Sequence, residues 1–377
     1  MRTDADPLRG GRLASRGWRR RVVSVWCAKC MPTDRGDGSL PMRRQRAARM
    51  IAMRTLVGLL FLGTIGCVTP VLAVGSCEQR MVAASERQFA GHDNVVTAVA
   101  FSPDGAVVAS TSIDRSLRLW TATDGRALGV IVCRAQLFTA AFSPDGQTIA
   151  AAGVDGVIRQ WRASDRQLLR TSNGHQATVR SLAFSPNGAA LASIGIGGEL
   201  RVWDAATGRQ RFSVRAHPEI GFAVAFSSDG QTIATAGGEG TIRLWSARDA
   251  QATGTLAGHD GPVRALAFGH DETLISAGAD ATVRVWNWVE RKQLATWRGH
   301  RGVVKSVALS SDGRRAVSGS GDGTVNVWSP RDGRLLGTLG GPQEQDGDTG
   351  VYGVAIAPGG DKVIAGGTRF IEALALP

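Results

Sequence analysis

Histidine and cysteine are the residues most able to do chemistry in this 377-residue chain, and their spacing limits what that chemistry could be. Five of six histidines, His92, His175, His217, His259 and His300, sit at near-regular intervals, and Asp114, Asp280 and Asp322 follow three of them by 21 or 22 residues. An imidazole beside a carboxylate can serve as a general base or a metal ligand, but only where a spare acid, nucleophile or third ligand joins it. None does: the sixth histidine, His270, replaces the proline of a turn in FGHDE, and Asp104, Asp145, Asp229 and Asp312 fall at turn positions that local backbone bonding explains. Cys27 and Cys30 form a C-x-x-C, yet the next cysteine is Cys67, so no second zinc-binding pair follows at suitable spacing. Met31, where a haem attachment needs His, excludes that use as well. Cys67 and Cys77 fit a lipoprotein cleavage pattern poorly. There is no G-x-S-x-G, and no Gly-rich cradle leads from a strand into a helix. The sequence thus names no catalytic, metal or cofactor residue, and a non-enzyme is expected.

The elements that must position these residues are set by period. Trp120, Trp161, Trp203, Trp245, Trp286 and Trp328 recur every 41 or 42 residues, each closing a segment such as SLRLW or TIRLW. With the same period come Phe101, Phe142, Phe184, Phe226, Phe268 and Leu309, most heading an FSPDG-like turn. Within one period VVTAVAF, AVVASTS, SLRLWTA and ALGVIV are too short for helical stripes and are separated by Asp-Gly turn signals, so four strands are predicted. A four-stranded sheet cannot bury both faces alone, and a repeat of this length marks a propeller array.

The chain resembles the WD-repeat β-propeller family over about residues 85–377. The resemblance implies a buried hydrogen-bonded set of His, Ser or Thr, Asp and Trp in each repeat. Complete sets can be written for His92, Ser110, Asp114 and Trp120, for His259, Ser276, Asp280 and Trp286, and for His300, Ser318, Asp322 and Trp328. These three repeats are expected to be the stiffest. Departures fall elsewhere: Glu239 replaces the acid after His217 and Thr235, Gly197 replaces it after His175 and Ser193, and Cys133 and Ala151 replace His and Ser in the repeat of Trp161. Those repeats are expected to rely on water or packing. After six Trp-marked repeats, VYGVAIAPGGDKVIAGGTRFIEALALP supplies three strands near 351–357, 361–366 and 369–375. The fourth is expected from SERQFAGH at 85–92, closing a seven-bladed, all-β ring of four-stranded antiparallel blades.

Members of that family bind partners mainly where the central channel opens. The position five after each His, or its equivalent, reads Thr97, Phe138, Arg180, Phe222, Arg264, Lys305 and Tyr352, alternating cations with aromatic residues. Beside it, just before the repeat acid, stand Ile113, Val154, Ile196, Gly238, Ala279 and Gly321. Phe138, Arg180, Phe222, Arg264, Lys305 and Tyr352 are therefore the candidate partner-binding residues, suited to a protein or acidic peptide.

Charge places nucleic acid behind protein as a partner. The formal +12 is concentrated in residues 1–85, which hold 15 Lys or Arg and 5 acids, while residues 86–377 carry a net +2. Residues 1–53 read as a basic leader, with Met42, Met50 and Met53 as alternative starts. Residues 54–76 lie within a charge-free run between Arg54 and Glu78 and read as the apolar core of an export signal or as a membrane anchor, followed by a linker over 77–84. Either way the propeller is expected outside the cytoplasm, with any membrane contact confined to 54–76. The expected function is a non-catalytic interaction scaffold. The alternatives are a propeller enzyme with a channel site and a cytosolic or nuclear scaffold for RNA or chromatin.

Overall fold

Tight reversals set the geometry of every blade. In the first, Ser102 Oγ donates to Asp104 Oδ1 (2.5 Å) and accepts the N–H of Val107 (2.9 Å), while Asp104 Oδ1 accepts the N–H of Ala106 (3.0 Å). Gly105 takes φ +71°, which an L side chain resists. The same bonds recur at Ser143/Asp145, Ser227/Asp229 and Ser310/Asp312, and at Ser185 with Asn187 in the acid's place. In these five blades they turn the chain so that the innermost strand pairs antiparallel with the next; Gly269 and Ala357 stand at the serine position in the other two.

The computed structural model describes residues 87–340, 350–368 and 370–376. The leader, the apolar run 54–76, the linker 77–84 and Cys27, Cys30, Cys67 and Cys77 lie outside the described residues. Among the described residues, twenty-eight strands form seven four-stranded antiparallel sheets. Blade 1 contains Val96–Phe101, Val107–Ser112, Ser116–Thr121 and Ala127–Val132, from the channel outward. Blades 2 to 6 repeat this order from Leu137, Val179, Gly221, Val263 and Val304. Blade 7 consists of Gly353–Ile356, Lys362–Gly366 and Phe370–Ala375, with Arg87–Ala90 as its outer strand.

The core lies between blades. Each repeat Trp packs on the blade before it: Trp203 on Ala150, Ala152 and Ile158, and Trp286 on Ala234, Ile242 and Leu244. Small alanines on the second strands leave room for the indoles. The closing strand uses the same layer, since Phe89 is 0% exposed, meets the Trp120 ring edge-on at 5.8 Å, and lies among Val108, Ala122 and Ile371. One N-terminal side chain therefore binds blade 7 to blade 1.

Candidate functional site

A repeated irregularity aims the channel side chains. In blades 1 to 6 the innermost strand slips register once, between Val96/Ala98, Leu137/Thr139, Val179/Ser181, Gly221/Ala223, Val263/Ala265 and Val304/Ser306. The residue inside each bulge is left out of the ladder and re-aimed. Those residues are Thr97, Phe138, Arg180, Phe222, Arg264 and Lys305, and Tyr352 precedes the innermost strand of blade 7. All seven line one cavity of about 280 Å³ at the ring's centre.

They are not seven independent groups. Arg180 lies over the Phe138 ring (4.5 Å to the centroid), Arg264 over Phe222 (4.1 Å) and Lys305 over Tyr352 (3.4 Å). Each couple joins neighbouring blades, 2 with 3, 4 with 5 and 6 with 7. Thr97 is absorbed differently: its hydroxyl is within 3.0 Å of the Thr111 carbonyl and 2.9 Å of the Leu137 carbonyl, bridging blades 1 and 2. Neighbouring inner strands are also stitched where Thr139, Ser181 and Ser306 hydroxyls accept the N–H of Leu182, Val224 and Val354. The frame around the cations is thereby fixed.

The described lining of the cavity carries charge of one sign. No carboxylate stands among the described residues lining it, and the Nε of Arg180 and of Arg264 is buried without a hydrogen-bond partner. Burial lowers both guanidinium pKa values from the ordinary range, and for Arg180 the nearby charge of Arg264 adds to the effect. An anion entering the cavity would relieve that repulsion and meet donors already oriented. The flanking positions differ around the ring: the Gly238 and Gly321 Cα atoms adjoin Phe222 and Lys305, whereas Val154 and Ile196 present exposed aliphatic surface on blades 2 and 3. A larger cleft of about 810 Å³ opens between blades 1 and 2, but its polar groups are engaged locally. Asp104 and Asp145 accept from Ser102 and Ser143, Arg162 pairs with Asp165, and Arg166 donates to the Leu128 carbonyl.

The repeat histidines lie within the blades. In blade 1 His92 bonds Ser110 and Asp114, both at 2.7 Å, and Trp120 Nε1–H donates to Ser110 (2.9 Å). Blade 5 repeats this with His259, Ser276, Asp280 and Trp286. Burial raises Asp280, but bonds from Thr282 and the His259 charge prevail and bring it down to about 2. Blade 6 is looser at the acid: His300 Nδ1 is 3.0 Å from the Thr324 hydroxyl and 3.4 Å from Asp322, while Ser318 still links His300 and Trp328.

Two blades depart from the sequence expectation. Blade 4 does not fall back on water or packing, because the longer Glu239 reaches His217 Nδ1 at 2.7 Å while Thr235 bonds His217 and Trp245. This needs Gly237, where a Cβ would lie 2.1 Å from His217 Nδ1. In blade 3 Gly197 is part of a rebuilt loop: it takes φ +100°, donates its N–H to the Glu219 carbonyl of blade 4 (2.6 Å), and follows a bridge between Ile196 and Ile220. His175 consequently keeps Ser193 (2.7 Å) with no acid, and burial plus the Arg201 charge bring it down to about 4. Blade 2 retains Trp161 and an Arg159–Asp155 ion pair (2.6 Å), with half-buried Cys133 and fully buried Ala151 at the missing positions. Among the described residues no group of three His, Cys, Asp or Glu is placed to hold a metal ion, and no helix is long and apolar enough to cross a membrane.

The family model described as WD domain, G-beta repeat matches residues 83–121, 131–162, 166–204, 208–246, 250–287 and 291–329, more than half of the chain. No curated protein matches the chain.

Proposed function

This chain belongs to the WD-repeat β-propeller family, and from that premise we propose that it is a non-catalytic interaction platform whose cationic channel receives an acidic segment of a partner protein. Propellers of this family are generally protein-interaction scaffolds. The observation that carries the finer reading is the convergence of Arg180, Arg264 and Lys305 on one cavity whose described lining has no carboxylate. Each cation is backed by an aromatic face, which holds the charge in place. Val154 and Ile196 beside the mouth suit an aliphatic residue flanking the acidic one. The non-catalytic part of the proposal is supported by the commitment of five imidazoles to buried hydroxyls.

Charge reversal at Arg180→Glu with Arg264→Glu tests the proposal against a fluorescent oligoglutamate peptide. The expected result is saturable binding by the native protein that weakens with added salt, and loss of binding in the double variant at an unchanged melting temperature. Retained binding by a folded double variant would refute it. An extracytoplasmic location is proposed from the basic-then-apolar order of residues 42–76 alone. The N-terminal mass of the natural protein checks it, and an intact N-terminus on a cytoplasmic protein would reject it.

A further inference from the structure

Three departures from the repeat meet in one place. Gly197 and Glu239 stand where blades 1, 2, 5 and 6 carry Asp114, Asp155, Asp280 and Asp322, and Gly238 stands where blades 1 to 3 carry Ile113, Val154 and Ile196. Gly238 and Glu239 line a cavity of about 420 Å³ between blades 4 and 5, on the face where the channel opens, and Gly197 anchors its wall. Residues 218–220 form that wall and are tied on both sides. Glu219 accepts the Gly197 N–H (2.6 Å) and Ile220 the Gly238 N–H (3.0 Å) through their carbonyls, Ile196 bridges Ile220, and Arg215 donates to the Pro218 carbonyl.

Pro218, Ile220, Phe222 and Pro262 give the cavity apolar sides. A Cβ on Gly238 would lie 3.8 Å from the Ile220 carbonyl oxygen and from Phe222 Cε2, so an aliphatic side chain like those of blades 1 to 3 would grow into the space. At Gly321 of blade 6 the matching position is covered by Lys305, whose Cε would be 3.3 Å from such a Cβ. The charge of the cavity is the reverse of the channel's. Glu219 is exposed, and its carboxylate takes part in no hydrogen bond or ion pair among the described residues. Glu239 accepts from Thr241 (2.9 Å) and meets His217 (2.7 Å), which burial holds below its ordinary pKa, with Arg243 at 3.4 Å. No cation is among the described residues lining the cavity. Phe222 borders both this cavity and the channel, where Arg264 lies over it, so two sites of opposite sign share one ring.

We propose that this cavity takes a long cationic side chain of the partner segment whose acidic residue enters the channel, so that the segment carries an acid and a base close together. The apolar stem lies on Pro218, Ile220 and Pro262 while the charged head meets Glu219 and Glu239, a division that lysine and arginine side chains favour. The acidic half rests on the channel reading, and the basic half on this cavity alone.

Fluorescent peptides in which an oligoglutamate run is joined, through none to three glycines, to arginine, lysine or norleucine separate the two halves, since norleucine keeps the stem and lacks the charge. Arginine or lysine is expected to bind the full chain about fivefold tighter than norleucine, and the tighter of the two names the residue. Gly238→Val, which copies Val154 and fills the cavity, is expected to erase that gain, and Glu219→Gln to reduce it, while both variants bind plain oligoglutamate as the native protein does. Equal binding of the three peptides, or a gain that survives in folded Gly238→Val, would overturn the proposal and leave the channel reading standing. Absence of oligoglutamate binding would refute the channel reading instead. The cavity is then judged by NMR with Nα-acetylarginine amide and Nα-acetylnorleucine amide: a saturable shift of the Gly238 amide with the first alone supports it, and no shift overturns it.

Discussion

Acidification should weaken the propeller through His175 in particular. Its imidazole is buried against Ser193, and no carboxylate takes the position that Asp114 or Asp280 fills beside His92 or His259, so burial and the Arg201 charge outweigh the attraction of Glu199 for the charged ring. The folded pKa is about 4 against 6.5 for the free side chain. A depressed histidine contributes its full stability above the unfolded pKa and loses it as pH falls towards the folded one. At about 1.4 kcal/mol per unit this gap is worth about 3 kcal/mol, of which about 2 kcal/mol disappears between about pH 7 and pH 5. The comparison is with His175→Gln, whose amide can still reach Ser193 and does not titrate. Urea unfolding of both proteins across that range isolates the site, because the other buried histidines are common to both and cancel. The native protein should lose about 2 kcal/mol more than the variant. Parallel pH profiles would refute the claim that this ring is held neutral by burial.

Two further perturbations probe the architecture. Phe89→Ala empties a fully buried site between blades 7 and 1 and should cost about 3–5 kcal/mol, with association rising as the outer edge of Phe370–Ala375 loosens. Urea unfolding and light scattering read both effects, and an unchanged midpoint would contradict closure by the N-terminal strand. Ala151→Ser restores a hydroxyl where Ser110 and Ser193 serve their tryptophans, and it should stabilise the protein by about 0.5–1.5 kcal/mol by accepting the Trp161 N–H. A lower urea midpoint in that variant would show that blade 2 has closed around the smaller side chain.

Much of this fold was legible because its period is carried by residues with narrow roles. The Trp at each third strand, the Ser-x-Asp-Gly turns and the N-terminal segment ending in Phe89 each encode a local geometry, and together they define the ring and its closure. What escaped was anything decided between repeats. The sequence marks Arg180 and Phe138 as channel neighbours but cannot show that one stacks over the other, since that depends on a bulge in each of two blades. Glu239 read as a departure, because only the backbone around Gly237 shows that the longer acid still reaches His217. Gly197 looked like a lost aspartate and is instead the pivot of a loop bonded to the next blade.

Seven is odd, and the channel residues couple in twos. Three cation–aromatic couples use six blades, leaving Thr97 of blade 1 tied to backbone carbonyls. The socket therefore has a notch. A guest that engaged all three cations at once, turned by one or more sevenths, would meet threonine or a ring in place of a cation, so such a guest would fit in one azimuth only. On the proposed reading, such a keyed hub would set the orientation of a partner as well as attach it.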